Sequence, residues 1–217
     1  MLIFDHLSVS LAPMQINFKD LSPNQRYGTM VQTLVPRPIA WVLSDNGDDS
    51  YNVAPFSFFT GISSEPPLLM LSIGKKDATV EKDTRLNIRE RDYFVVHIPS
   101  ARHVDQVNQT SQTLAHGESE ADLAKLDLIE LDGFPLPRIA DCDVAFACKR
   151  HRIDEMGDME QVVIYGEILS VTMNDDIIKS AENNRVHVDP LKLDPLARLG
   201  GSNYSSVGEI LSAKRPK

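Results

Sequence analysis

The residues that could do chemistry fall in three short segments, around residues 35–41, 52–60 and 82–88. In the first, Pro36 and Pro38 flank Arg37. Proline confines the residue before it to extended backbone, and a guanidinium held that way meets an anion at little ordering cost. Alone, this segment reads more simply as a rigid lead-in whose Arg faces water. In the second, Asn52, Ser57 and Thr60 stand among Ala54, Phe58 and Phe59. Amides and hydroxyls beside aromatic rings suit a flat heterocycle with polar edges; the plainer alternative is a core strand and turn with locally satisfied hydroxyls. In the third, Lys82, Asp83 and Thr84 precede Asn87 and Ile88. A helix opening there would aim free N–H groups outward beside a hydroxyl and a lysine, which is a phosphate site. Asp83 brings opposing charge, which capping the helix or bonding a ligand hydroxyl would explain. Many solvated helix starts share this pattern.

The usual catalytic signatures are missing. There is no G-x-S-x-G, no phosphate-binding loop, no C-x-x-C, and no H-x-H or H-E-x-x-H among the six histidines. No metal is expected, and no residue is assigned as a chemical catalyst. Cys142 and Cys148 lie in an apolar stretch, residues 139–148. On one strand they would sit about 20 Å apart, whereas a disulfide needs α-carbons within about 7 Å. They read as small buried thiols in a reducing compartment.

Charge narrows the partners. The formal net charge is −9, from 31 acidic against 22 basic residues, which argues against nucleic acid and against anionic membranes. The cluster Lys149-Arg150-His151-Arg152 reads as a solvated strand end. Met1-Leu2-Ile3-Phe4 runs straight into Asp5 and His6, unlike a signal peptide, and apolar runs such as Leu68 to Ile73 are too short to span a bilayer. A soluble, cytoplasmic protein is expected.

The elements that must position the three segments can be read in order. Residues 1–21 form a weakly patterned arm. Ser22-Pro23 starts a helix reaching about Tyr27 or Met30. Ile39 to Ser44 is a buried strand, Asp45-Asn46-Gly47-Asp48 a turn, and Tyr51 begins the return of a hairpin. Residues 64–67 break the chain before a core strand from Leu68 to Ile73. Asp83 caps a helix over Thr84 to Arg91 with Leu86 and Ile88 as its apolar positions, and Tyr93 to Ile98 is a strand. A polar helix runs from about His103 to Gln112, and residues 115–127 form an acidic helical excursion on the surface. Strands at 140–152 and 162–173 turn at Gly157 and Asp158. The tail from 189 onward combines turn chemistry at Asp189-Pro190, Asp194-Pro195 and Gly200-Gly201 with Leu191, Leu193, Leu196, Leu199 and Tyr204. Such a tail suits wrapping a neighbouring surface. About six strands, short turns and a few peripheral helices make a mainly β fold, a closed or partly closed antiparallel barrel, over a domain at 22–188.

In order, Arg37-Pro38-Ile39-Ala40-Trp41-Val42, Asn52-x-Ala54-Pro55-x-Ser57-Phe58-Phe59, Pro66-Pro67 and Lys82-Asp83-Thr84-x-x-Asn87-Ile88 resemble the flavin-reductase-like domain family, closest to its flavoredoxin-type members. The likeness covers roughly residues 22–204, and Pro195 to Tyr204 is similar to the family's ending. The resemblance implies a six-stranded split barrel, a homodimer, and FMN near the subunit interface. It implies that Asn52, Ala54, Ser57, Phe58 and Phe59 line the flavin ring or ribityl chain. Lys82, Asp83 and Thr84 would hold ribityl and phosphate, with Arg37 beside them, and Tyr204 would close over the site. The implied activity is NAD(P)H-dependent flavin reduction with hydride passing to FMN N5, reduced flavin serving a redox partner or monooxygenase. The alternatives are a flavoredoxin-like carrier with tightly bound FMN and a non-enzymatic flavin-binding domain.

Overall fold

The computed structural model describes residues 13–47, 50–76, 80–112, 114, 118–157, 161–183 and 185–216; Asp158 of the expected turn and residues 115–117 lie outside these. Seven strands build the main sheet: β1 (Ala40–Asp45), β2 (Tyr51–Phe56), β3 (Phe59–Ser64), β4 (Pro67–Ile73), β5 (Tyr93–His97), β6 (Val144–Met156) and β7 (Gln161–Met173). Their order across the sheet is β2-β1-β5-β6-β7-β4-β3, with every neighbouring pair antiparallel. The two edge strands β2 and β3 are consecutive in the chain, separated only by Ser57 and Phe58. In a flat sheet they would stand about 29 Å apart, at about 4.8 Å per strand, whereas the short connection spans about 11 Å at most. The sheet must therefore be rolled. It is open along the β2/β3 seam, where the two edges share no ladder.

Packing follows from the rolling. An inner cluster takes Ala40, Val42, Phe56, Leu69, Leu71, Ile73, Phe94, Val96, Cys148, Val162 and Ile164, plugged by Ile88. An outer cluster takes Trp41, Leu43, Val53, Val95, Ala145 and Ala147 under Val107, Ala121, Leu131, Leu136, Ile139 and Leu196. Alternate residues of β1 and β5 thus serve opposite faces, both buried, which is why these strands are continuously apolar in sequence. Six strands supply the buried residues of the inner cluster; the seventh, β3, adds the half-buried Phe59, is otherwise exposed, and is the strand that a six-stranded expectation omits. Both cysteines are free and buried, and Cys142 precedes β6 rather than lying on it.

Helices hold the rim. The first, α1 (Pro23–Thr33), opens with a Ser22/Gln25 capping box and extends past Met30. The second, α2 (Asp83–Arg91), has Lys82 rather than Asp83 at its N-cap, and the Lys82 side chain makes no capping bond. Further along, α3 (Val104–Gln109) and α4 (Glu120–Leu123) cover the outer face, with Glu120 and Ala121 buried. The acidic excursion is therefore part of the packing and not a surface ornament. The tail, too, turns inward: after α5 (Pro190–Leu193), residues 197–198 pair with Arg37–Pro38 and with Tyr204–Ser205. Leu196 enters this chain's own core, so that part of the tail is not free to wrap a partner. Among the described residues no helix is long and apolar enough to cross a membrane.

Candidate functional site

Where β2 ends and α2 begins, a polar cavity of about 120 Å³ is lined by Asn52, Ala54, Phe56, Lys82, Asp83 and Thr84, with Lys76, Thr110, Ser111, Gln112 and Glu120 completing it. The β1–β2 hairpin and α2 bring the second and third segments together. Asn52 Nδ2 donates to Thr84 Oγ1 at 2.8 Å and to Ser44 Oγ at 3.3 Å. Asn87 Nδ2 donates to the same Ser44 Oγ at 3.1 Å. Thr84 accepts from Asn52 and keeps its own hydroxyl hydrogen to donate.

The charges in this cavity are not evenly matched. Asp83 pairs with Lys76 at 2.7 Å, which accounts for the carboxylate that was awkward in the sequence; Lys76 also donates to the Leu114 carbonyl oxygen at 3.1 Å. Lys82 meets no carboxylate among the described residues, and its ammonium lies 5.5 Å from the centre of the Phe56 ring. Burial, reinforced by the neighbouring Lys76 charge, holds the Lys82 ammonium below the usual lysine range. Glu120 is 4% exposed, and its Oε2 has no hydrogen-bond partner among the described residues. Burial first, then the nearby Asp83 charge, pushes its carboxyl up to about 7, against backbone N–H bonds and Lys76 pulling it down.

The cavity does not end there. Pro55, Phe56 and Lys82 also line a second hollow of about 320 Å³ with Tyr27, Ser57, Phe58, Ser72 and Gln161. Ser57, Phe58 and Ser72 in turn line an open cleft of about 800 Å³ walled by Met30, Leu34, Phe59, Met70, Met156 and Val163. Three hollows with shared walls thus run from a polar, lysine-bearing end to an apolar, aromatic one.

Two expected site residues also make contacts elsewhere in the chain. Arg37 is buried and donates from Nη1 to the Val31 and Leu34 carbonyls at 2.7 Å each, from Nη2 to the Leu199 carbonyl at 3.1 Å, and from Nε to Ser57 Oγ at 3.2 Å. Four of its five N–H donors are engaged, on the end of α1, on the tail and on Ser57, so Arg37 acts as a clamp in the wall of the wide cleft. Tyr204 packs against the outer cluster with the Arg198 guanidinium 4.4 Å from its ring centre, and it lines none of the three hollows. Sequence reasoning missed Lys76, Glu120 and the Thr110–Gln112 stretch, which come from elements distant in the chain. His97, fully buried with its pKa lowered to about 4 by burial, is a structural tie: its Nδ1 donates to the Trp41 carbonyl and its Nε2 accepts from the Ile139 N–H, both at 3.0 Å.

This rolled sheet with a ligand-sized channel at its seam defines a split-barrel type of protein, and comparison agrees. A model of the flavin reductase like domain matches residues 31–191; the chain belongs to that family. Nitrilotriacetate monooxygenase component B from Bacillus cereus superposes with a TM-score of 0.85 at 29% identity, covering 94% of this chain and 100% of that one. The Pseudomonas fluorescens 2-nitrobenzoate 2-nitroreductase gives 0.83 at 28% identity, covering 94% and 96%. A putative flavin reductase with a split barrel domain from Shewanella frigidimarina shares the fold, at 0.80 and 16% identity over 94% and 100%.

Proposed function

We propose that the three connected hollows hold FMN and that the chain is an oxidoreductase of the NAD(P)H-dependent flavin reductase type. The observation that carries this reading is the gradient along the channel. FMN has a charged phosphate at one end and a flat tricyclic ring at the other, and the channel offers Lys82, Thr84 and the start of α2 at one end and Phe58 and Phe59 at the other. An ammonium without a carboxylate partner among the described residues, at the N-terminus of a nine-residue helix, suits a phosphate on both charge and donor grounds.

In this reading Lys82 and Thr84 bind the phosphate, Asn52 holds the Thr84 hydroxyl in place, and Ala54, Pro55 and Phe56 flank the ribityl chain. Ser57, Phe58 and Phe59 line the ring. Bound FMN supplies a hydride acceptor at ring N5; the protein's share is placement and exclusion of water, so no acid–base pair is needed. The apolar cleft leaves room for a second flat ring system, taken here as the nicotinamide. Similarity to a monooxygenase component supports delivery of reduced flavin to a monooxygenase partner.

Titration with FMN and riboflavin tests the phosphate end. FMN should bind more tightly, and Lys82→Gln should weaken FMN about ten- to a hundredfold, the loss of one charged hydrogen bond, while riboflavin is unmoved. Equal affinity for both flavins overturns the assignment. NADH and NADPH oxidation with added FMN then separates a reductase from a flavoredoxin-like carrier, which would purify yellow and leave both nicotinamides unoxidised.

A further inference from the structure

The buried carboxyl of Glu120 shares the polar cavity with Lys82 and Thr84 but has no part in the phosphate contacts assigned to them. Its position is fixed. Ser119 Oγ donates to the Tyr51 carbonyl on β2 at 2.9 Å and accepts from the Asp122 N–H at 3.2 Å, pinning α4 to the barrel, while Ala121 on the same helix sits in the outer core. The side chain is therefore held against the cavity with one oxygen, Oε2, lacking a partner among the described residues. A buried polar atom left unbonded costs the folded chain free energy that a ligand able to bond it restores.

We propose, resting on the flavin reading above, that the cavity takes up the phosphate end of its ligand together with a proton on Glu120, whose Oε2–H then donates to a phosphate oxygen. Charge counting within the cavity supports this. Its lining residues include two ammoniums, Lys76 and Lys82, and two carboxyl groups, Asp83 and Glu120. With Glu120 ionised the four sum to zero and offer a phosphate no net attraction; with Glu120 protonated they sum to +1. The Lys76–Asp83 pair is already closed at 2.7 Å, so Glu120 is the group left to change. From the end of α3 the described residues that line the cavity with it are the uncharged Thr110, Ser111 and Gln112. The other ionisable residues within five positions of it in sequence are His116, Glu118, Asp122 and Lys125, and Tyr51 stands on β2 beside Ser119. A carboxyl that titrates at about 7 in the unliganded chain is poised for this exchange, and a bound phosphate raises it further.

The sign follows from linkage. If the bound form holds its proton more tightly than the free form, binding takes up a proton, and affinity falls as pH rises through and above 7. The phosphate's own second ionisation, near pH 6, acts the opposite way at lower pH, so the informative window is pH 7 to 9. FMN and riboflavin affinities are measured across it for the full chain and for Glu120→Gln, an uncharged carboxamide of the same shape. The wild type should lose about tenfold in FMN affinity between pH 7 and 8.5, with riboflavin flat. Glu120→Gln should bind FMN with little pH dependence. Calorimetry of the wild type in two buffers of different ionisation enthalpy should show proton uptake on FMN binding at pH 7.5, a readout that does not depend on the variant folding. A flat wild-type profile without proton uptake overturns the proposal. So does a slope that survives in Glu120→Gln, which would belong to Lys82, and so does a slope shared by riboflavin, which would place the contact on the ribityl chain. Failure to bind FMN at any pH is a different result: it removes the flavin reading itself, and this proposal with it.

Discussion

Thr84 and Asn52 show what a single hydroxyl carries. Both are almost fully buried, and the 2.8 Å bond between them makes Thr84 an acceptor as well as the proposed phosphate donor. Thr84→Val keeps the shape but leaves the Asn52 amide short of its better acceptor, so it should cost stability, about 1–3 kcal/mol, as well as FMN affinity. Thr84→Ser should restore both. Urea denaturation alongside FMN and riboflavin titration separates the effects; a Thr84→Val protein with unchanged FMN binding would remove Thr84 from the phosphate site. A helix start beside Lys82, Asp83 and Thr84 was legible because helix starts have a local chemistry, although Lys82 and not Asp83 takes the N-cap. The role of Arg37 was not, because its donors are claimed by the Leu199 carbonyl, 162 positions away, as well as by α1. Glu120 was equally hidden, since nothing in a four-residue helix says which way its carboxyl faces.

At the scale of elements, legibility followed burial. Strands β1 and β5 stand out in the sequence because both their faces are buried, and the Gly47 turn of the first hairpin adopts the positive φ of 92° that glycine readily allows. Strand β3 leaves little trace, because five of its six residues are exposed and no alternation of apolar and polar residues marks it. The long β6–β7 ladder carries register shifts beside Gly166 and Ser170, and the glycine at 166 has a packing reason. A Cβ on Gly166 would overlap the Phe94 ring and come within 3.3 Å of Leu69 Cδ1, both in the inner cluster. Gly166→Ala should therefore destabilise the fold by about 1–3 kcal/mol through overpacking. Phe94→Leu in the same background should recover part of the loss. The check is a thermal or denaturant midpoint for each variant; an unchanged midpoint in Gly166→Ala would mean that the inner core is looser than this packing implies.

The whole molecule leaves one face unexplained within a single chain. Helix α1 has 11 residues, none of them buried, yet it carries Tyr27 and Met30, with Leu34 and Val35 just beyond it, all exposed. A helix of that length is marginal in water without tertiary packing, and an apolar face of this kind on a folded chain marks an interaction surface. The same residues overhang the channel: Met30, Leu34 and Val35 wall the wide cleft, and the Tyr27 ring stands edge-on to Phe58 with centroids 6.1 Å apart. Whatever covers α1 also covers the ring end of the proposed flavin site. The apolar tail suggested a dimer from the sequence; with Leu196 inserted in its own core, α1 is the better candidate for the contact. A second copy of the chain is the expected cover, so light scattering on dilute protein should report twice 24.2 kDa. Replacing Met30 and Leu34 with Glu should split the dimer, because two charges per copy would have to be buried without partners. The barrel should survive, since neither residue belongs to either core cluster. FMN affinity should fall with the dimer, because the ring would lose one wall of its cleft and stand in water. A monomer that binds FMN as tightly as the wild type would show that one chain makes the whole site.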